Sequence, residues 1–247
     1  MAVLEDKVAL VTGGAVRLGR EIALELARQG CDIVIHFRES APEAEMLAED
    51  IRHMGRQAWL VCGDLSNAYA PEVVMRTAWE LAGWVDILVN NASIFSHLSL
   101  DVATVEEIEE MWRVNALAPM MLAKTMAALA EASEILPEDY CGRVINLLDR
   151  RIVKADTGRF VYWMSKKSLE AFTVGGALEL APRITVNGVA PGPVLAPDDS
   201  DVSEYAGPLP LAVRCLPSDV VDAVVYLCGA MTVTGQIIYV DSGQHLL

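Results

Sequence analysis

Short unbroken apolar runs recur along this chain, and a stretch with helical spacing separates each from the next. The runs are 7–12 (KVALVT), 32–37 (DIVIHF), 57–65 (QAWLVCGDL), 85–93 (VDILVNNAS), 142–149 (GRVINLLD), 183–192 (RITVNGVAPG) and 235–243 (GQIIYVDSG). A strand with one wet face alternates apolar and polar residues, whereas continuous runs mark strands buried on both faces. Neighbouring parallel strands need a crossover of about a dozen residues or more, and the intervening segments supply it. Leu18, Ile22, Ala23 and Leu26 fall at helical spacing, with Gly30 as the stop. Further helices are expected at 41–55, 71–83, 105–134 and 159–180, with a last one capped by Ser218. The pattern predicts an α/β fold, a doubly wound parallel sheet of seven strands with helices on both faces. It uses nearly all 247 residues without a repeat or linker, so one domain spanning 1–247 is expected. The proline-rich stretch 193–216 reads as a substrate-covering loop, with or without a short helix, or as a merely irregular connection.

Composition narrows the function. Hydrophobic residues make up 53% of the chain, too many for disorder. No apolar run reaches the roughly 18 residues of a membrane span, and the N-terminus is a poor signal peptide. Formal net charge is −15, which repels phosphate backbones and argues against a nucleic-acid partner. The five cysteines are scattered and form no C-x-x-C pair. Most of them read as core thiols of a cytoplasmic protein, and no metal site is expected.

Gly13, Gly14 and Gly19 follow the first run and lead into a helix. Such a turn lets backbone approach a pyrophosphate at a helix N-terminus, although the spacing is not G-x-G-x-x-G. The second run ends His36-Phe37-Arg38-Glu39-Ser40, with no acid at the strand tip to accept a ribose 2′-hydroxyl. Arg17 stands on the neighbouring turn. Arg17, Arg38 and Ser40 can surround a 2′-phosphate, each charge-assisted pair contributing roughly 1.5–3 kcal/mol, which points to NADPH. Glu39 is a competing partner for Arg38.

Tyr162 and Lys166 are four apart and share a helix face. A neighbouring ammonium favours the phenolate. Asp149 ends a buried run at the sheet edge where ligands bind. A carboxylate there repels a developing oxyanion and suits a substrate nitrogen that accepts a proton. It also raises the tyrosine pKa, against the lysine.

Taken in order, TGGAVRLG, GDL, NNAS, Asn115, YWMSK, LELAPRITVNGVAPG and VDSG resemble the short-chain dehydrogenase/reductase family from about residue 7 to 243. Within it the chain is most similar to the pteridine reductases. Arg17 replaces the usual glycine, Phe95 follows NNASI, and Asp149 stands thirteen residues before Tyr162 where most of the family has serine. Arg38 departs from that group by one position. The resemblance implies a Rossmann-type sheet and an NADPH site. That site would include Gly13, Arg17 and Leu18 of the turn and His36, Phe37, Arg38 and Ser40 at the strand end. Asp64 and Leu65 would flank the adenine, and Asn91, Ala92 and Ser93 the ribose and pyrophosphate. Lys166 would hold the nicotinamide ribose, and Pro191, Gly192 and Val194 the carboxamide side. Phe95 would stack on a pterin, and Asn115 would support the proton path. The implied reaction is hydride transfer to a C=N bond of a dihydropterin or dihydrofolate, with Asp149, Tyr162 and Lys166 as the proton machinery. A carbonyl reductase, such as one acting on 3-oxoacyl chains, and a non-catalytic cofactor-binding regulator stay open as alternatives. The implied assembly is a homotetramer through the helices at 115–134 and 159–180.

Overall fold

A computed structural model of the chain describes residues 4–138, 140–194 and 207–247. Seven parallel strands form one sheet in the order β3-β2-β1-β4-β5-β6-β7. They are β1 (Val8–Val11), β2 (Asp32–Phe37), β3 (Ala58–Cys62), β4 (Ile87–Asn90), β5 (Gly142–Leu147), β6 (Ile184–Pro191) and β7 (Ile237–Val240). The apolar runs therefore do mark the strands. Their side chains alternate between two cores, as the two-residue period of a strand requires. Ala9, Val11, Ile33, Ile35, Ile87 and Val89 face one layer, while Val8, Leu10, Val34 and Leu88 face the other.

Helices α1 (Arg17–Arg28), α2 (Ala41–His53) and α7 (Pro217–Gly229) cover the first face. Helices α3 (Ala70–Ala82), α5 (Ala118–Ala132) and α6 (Phe160–Glu179) cover the second. Ile22 and Leu26 of α1 and Leu122 and Met126 of α5 are fully buried. Each such side chain contributes roughly 1.5–3 kcal/mol of burial. At the end of α1, Gly30 adopts φ +98°, the Gly30 N–H donates to the Ala27 carbonyl and the Cys31 N–H to that of Leu26. That closing pattern needs a left-handed residue, which is why glycine ends the helix.

The stretch expected as one long helix is divided. A capping box, in which Thr104 Oγ1 accepts the Glu107 N–H and Glu107 accepts the Thr104 N–H, starts α4 (Val105–Trp112). A five-residue π turn, Arg113–Leu117, then joins it to α5. Pro119 explains the break, since it has no N–H to offer the Asn115 carbonyl four residues back. Instead the Ala118 N–H donates to the Arg113 carbonyl. Asn115 thus sits in a widened turn, a feature frequent at functional sites.

Ser218 does not cap the last helix. Pro217 opens α7 one residue earlier, because its fixed φ suits a first helical position, and the Asp219 carboxylate accepts the Leu216 N–H at 2.8 Å. Of the expected substrate loop, residues 195–206 lie outside the described residues; 207–216 carry a turn but no helix. Cys31 and Cys228 are core thiols as expected, but Cys62 is exposed, since it ends β3 at the sheet edge. No described helix is long and apolar enough to cross a membrane.

The chain runs from β1 outward to β2 and β3, then returns to place β4 on the other side of β1. Connections leave in opposite directions at this point, so a crevice opens beyond the carboxyl ends of β1 and β4.

Candidate active site

The glycine turn after β1 is braced from two sides. Gly13 has φ +59°, and a side-chain carbon at Gly19 would stand 2.1 Å from the Gly13 carbonyl oxygen. Only glycine fits there. From β4, Asn91 Nδ2 donates to the carbonyls of Thr12 (2.8 Å) and Gly13 (3.1 Å). Thr12 Oγ1 accepts the N–H groups of Asn91 and Ala92, both at 3.0 Å.

From β2, His36 Nδ1 accepts the Gly13 N–H at 3.2 Å, so Nε2 carries the proton and donates to the Gly63 carbonyl at 3.0 Å. Burial lowers the His36 pKa from 6.5 to about 4. The unfolded chain therefore binds one more proton between those two values, and acid favours unfolding. Stability is fully present above pH 6.5 and is lost as pH falls towards 4, by on the order of 3 kcal/mol. In His36→Asn, which keeps an acceptor that does not titrate, chemical denaturation should show a clearly smaller loss across that window.

Beyond the turn lies a cleft of about 410 Å³. Gly13, Arg17, Leu18, His36, Phe37, Arg38, Ser40, Asp64, Leu65, Asn91, Ala92 and Ser93 line it together. Arg17 holds φ +53° at the start of α1, a left-handed conformation that costs a non-glycine residue about 1–2 kcal/mol. Arg38 Nε pairs with Glu39 at 3.1 Å, but the two side chains are 48% and 78% exposed, so the pair is worth little. Ser40 precedes α2 without capping it by its side chain. Hydrogen bonds from Ser66 hold the Asp64 carboxyl below its ordinary range, and Arg38 adds a smaller pull. Two guanidinium groups and a helix N-terminus around one cleft fit a dinucleotide rich in phosphate.

The other group gathers past the end of β5. The Tyr162 hydroxyl donates to Asp149 Oδ2 at 3.1 Å. Arg151 grips the same carboxylate twice, its N–H on Oδ1 at 2.8 Å and its Nη1 on Oδ2 at 2.9 Å. Asp149 thus caps the turn that follows β5 and is also the partner of the phenol. Tyr162 is 6% exposed, and burial, then the Asp149 charge, pushes its phenol well above 10. Lys166 Nζ donates to the Leu147 carbonyl at 2.8 Å and stands 5.9 Å from the centre of the Tyr162 ring. Burial pulls Lys166 down to about 8. The lysine thus does not set the phenol's state; burial and Asp149 do.

Asn115 is a junction rather than a neighbour of the phenol. Its Oδ1 accepts from Ile94 N–H (2.9 Å) and Ser93 Oγ (3.1 Å), and its Nδ2 donates to Ile94 O (2.9 Å) and Ser165 Oγ (3.0 Å). It ties the segment carrying Phe95 to the helix carrying Tyr162. Phe95 is 43% exposed and meets Tyr162 edge to face, with ring centres 4.8 Å apart. Pro191, Gly192 and Val194 stand at and just past the end of β6 and are not among the residues lining the main cleft. A side-chain carbon at Gly192 would come within 3.0 Å of the Asp241 Cα. Motif reading singled out neither Thr12, which braces the turn, nor the guanidinium of Arg159, 5.7 Å from the Phe95 ring centre.

Comparisons with known proteins agree with this geometry. A family model described as short chain dehydrogenase matches residues 7–205. A solved structure of the FolM alternative dihydrofolate reductase 1 from Brucella canis, complexed with NADP, superposes with a TM-score of 0.89 at 34% identity, covering 100% of this chain and 97% of that one. Pteridine reductase 1 of Leishmania tarentolae is 32% identical over 97% of this chain and 96% of its own length. A 3-oxoacyl-[acyl-carrier-protein] reductase of Staphylococcus aureus is 28% identical over 97% and 98%. With the parallel sheet, the braced glycine turn and the paired Tyr162 and Lys166 in place, the chain belongs to the short-chain dehydrogenase/reductase family of oxidoreductases.

Proposed function

We propose that this protein is an NADPH-dependent pteridine reductase that saturates a C=N bond of a dihydropterin or dihydrofolate. The observation that carries the reading is the 3.1 Å hydrogen bond from Tyr162 to Asp149. NADPH, when bound, supplies the hydride. Tyr162 supplies the proton by turning its hydroxyl from Asp149 towards the substrate nitrogen. The phenol is kept protonated by burial and by the Asp149 charge, so it is ready as an acid at neutral pH. The Asp149 side chain retains 13% exposure and passes a replacement proton from solvent along the same bond. Arg151 fixes Asp149 in place for both steps. Lys166, on the next turn of α6, would hold the nicotinamide ribose, and Asn115 positions Phe95 against Tyr162.

The carboxylate decides between substrates. A unit charge about 4 Å from another feels about 4 kcal/mol at an effective dielectric of 20. Asp149 favours a nitrogen that gains positive character on protonation and opposes a carbonyl oxygen that gains negative charge. Arg151 reduces this effect without changing its sign. NADPH consumption should therefore be fast with dihydrobiopterin or dihydrofolate and slow with a 3-oxoacyl thioester. Faster turnover of the thioester would replace this reading with the carbonyl reductase.

The choice of NADPH is supported by Arg17, Arg38 and Ser40 sharing one cleft wall. Arg17→Gly should weaken NADPH binding by about 10- to 100-fold and leave NADH within about twofold, since one charge-assisted pair is lost. The same variant relieves the left-handed strain, so its melting temperature should hold or rise. Equal loss for both cofactors, measured by fluorescence titration, would remove Arg17 as selector. Association as a homotetramer is part of the same proposal. The exposed Trp112 of α4 and Met164, Val174 and Leu178 of α6 support it, whereas Leu122, Met126 and Leu169 are spent on the chain's own core.

A further inference from the structure

Between Asp149 and Tyr162 runs the segment RRIVKADTGR, residues 150–159. It carries four cationic residues against one acid, Asp156, in a chain whose net charge is −15. A chain so acidic repels an anionic substrate at a distance, so a local basic patch is needed where such a substrate docks. Two of the four cations sit at the ring of Phe95. The guanidinium carbons of Arg151 and Arg159 are 5.9 and 5.7 Å from its centre. Both also reach one oxygen of Asp156, Arg151 through Nε at 3.3 Å and Arg159 through Nη1 at 3.2 Å.

Arg151 is committed to Asp149 and Asp156. Arg159 is not committed to the same degree. Of its five N–H donors, Nη1 has the Asp156 oxygen, while Nε is buried and has no partner. A buried donor without an acceptor is costly and is relieved by any ligand that supplies one. Its guanidinium fork, held against the aromatic ring, matches the geometry of a carboxylate, which accepts two parallel N–H bonds.

We infer that Arg159 is a specificity residue that receives a carboxylate on the side chain of the substrate. The inference rests on the pterin reading and deepens it: the preferred substrate is a pterin with an acidic tail, as in dihydrofolate, over one with an uncharged tail, as in dihydrobiopterin. Asp156 holds the fork ready and shares it when the substrate carboxylate arrives.

The test is steady-state kinetics of wild type and Arg159→Gln with both substrates at low ionic strength. Arg159→Gln should raise KM for dihydrofolate about tenfold with kcat within about twofold, and leave both constants for dihydrobiopterin within about twofold. The unchanged dihydrobiopterin rate is the control for folding. Should the variant not fold, Arg159→Lys takes its place, since it keeps the charge but not the planar fork and should raise KM for dihydrofolate severalfold while leaving dihydrobiopterin unchanged. An equal rise for both substrates, or none for dihydrofolate, would overturn the inference while leaving the pterin reading intact. A wild-type protein that reduces neither substrate would overturn the reading on which it rests.

Discussion

Tyr162→Phe is expected to slow single-turnover pterin reduction by about a thousandfold while NADPH binding stays within about twofold. The substitution removes one oxygen and little else. The ring stays packed in its buried place on α6, so the edge-to-face contact with Phe95 at 4.8 Å survives. What is lost is the proton donor, together with the hydrogen bond to Asp149. The carboxylate keeps both contacts from Arg151 and so holds its position. Because Tyr162 is the only described hydroxyl bonded to Asp149, no neighbour replaces it. Stopped-flow loss of NADPH absorbance at saturating cofactor gives the rate. A variant within tenfold of wild type would show that the proton comes from elsewhere.

Asp149→Ser is expected to slow the same reaction by about a hundredfold and to leave or raise the rate with a ketone. Serine restores the residue most of the family carries and replaces an acceptor charge by a neutral donor. For a substrate nitrogen, the electrostatic help of the carboxylate is lost, and in steady state the route for reprotonating Tyr162 goes with it. For a carbonyl oxygen, a repulsion of at most about 4 kcal/mol at about 4 Å, already reduced by Arg151, is lifted. The opposite signs matter more than either magnitude, because a general loss of packing would slow both substrates. The variant also leaves Arg151 without its carboxylate partner, so a modest fall in melting temperature is expected. An unchanged pterin rate would take Asp149 out of the mechanism.

The sheet was legible because its evidence is local and repeated. Continuous runs such as Ala9 to Val11 and Ile33 to Ile35 carry the signal for buried parallel strands, and Gly30 and Gly55 end their helices by left-handed geometry that few other residues tolerate. The division at Arg113–Leu117 was not legible from periodicity, since a π turn shifts the helical phase by one residue and the apolar pattern runs on through it. Pro119 was the available signal. That the residues expected around a cofactor line one cleft was legible for a similar reason: the lining comes from short segments at the ends of β1, β2, β3 and β4, each with its own motif. The far end of the site was read less well. Whether Lys166 or Asp149 governs Tyr162 depends on distances across the fold, and spacing along α6 alone put Lys166 first. The placement of Arg159 is likewise tertiary, set by a turn that brings it back over Phe95, and no motif encodes it.

The central claim is that a pteridine ring docks on Phe95 with a nitrogen held by the Tyr162 and Asp149 pair, while Arg17 and Arg38 hold the adenosine phosphate. A crystal structure with NADP and an antifolate tests it most directly. The expected result is a ring stacked on Phe95, a ring nitrogen or amino group roughly 3 Å from the Tyr162 oxygen or the Asp149 carboxylate, and both guanidiniums on the 2′-phosphate. An antifolate bound away from Phe95, or guanidiniums turned to solvent with the 2′-phosphate uncontacted, would contradict it.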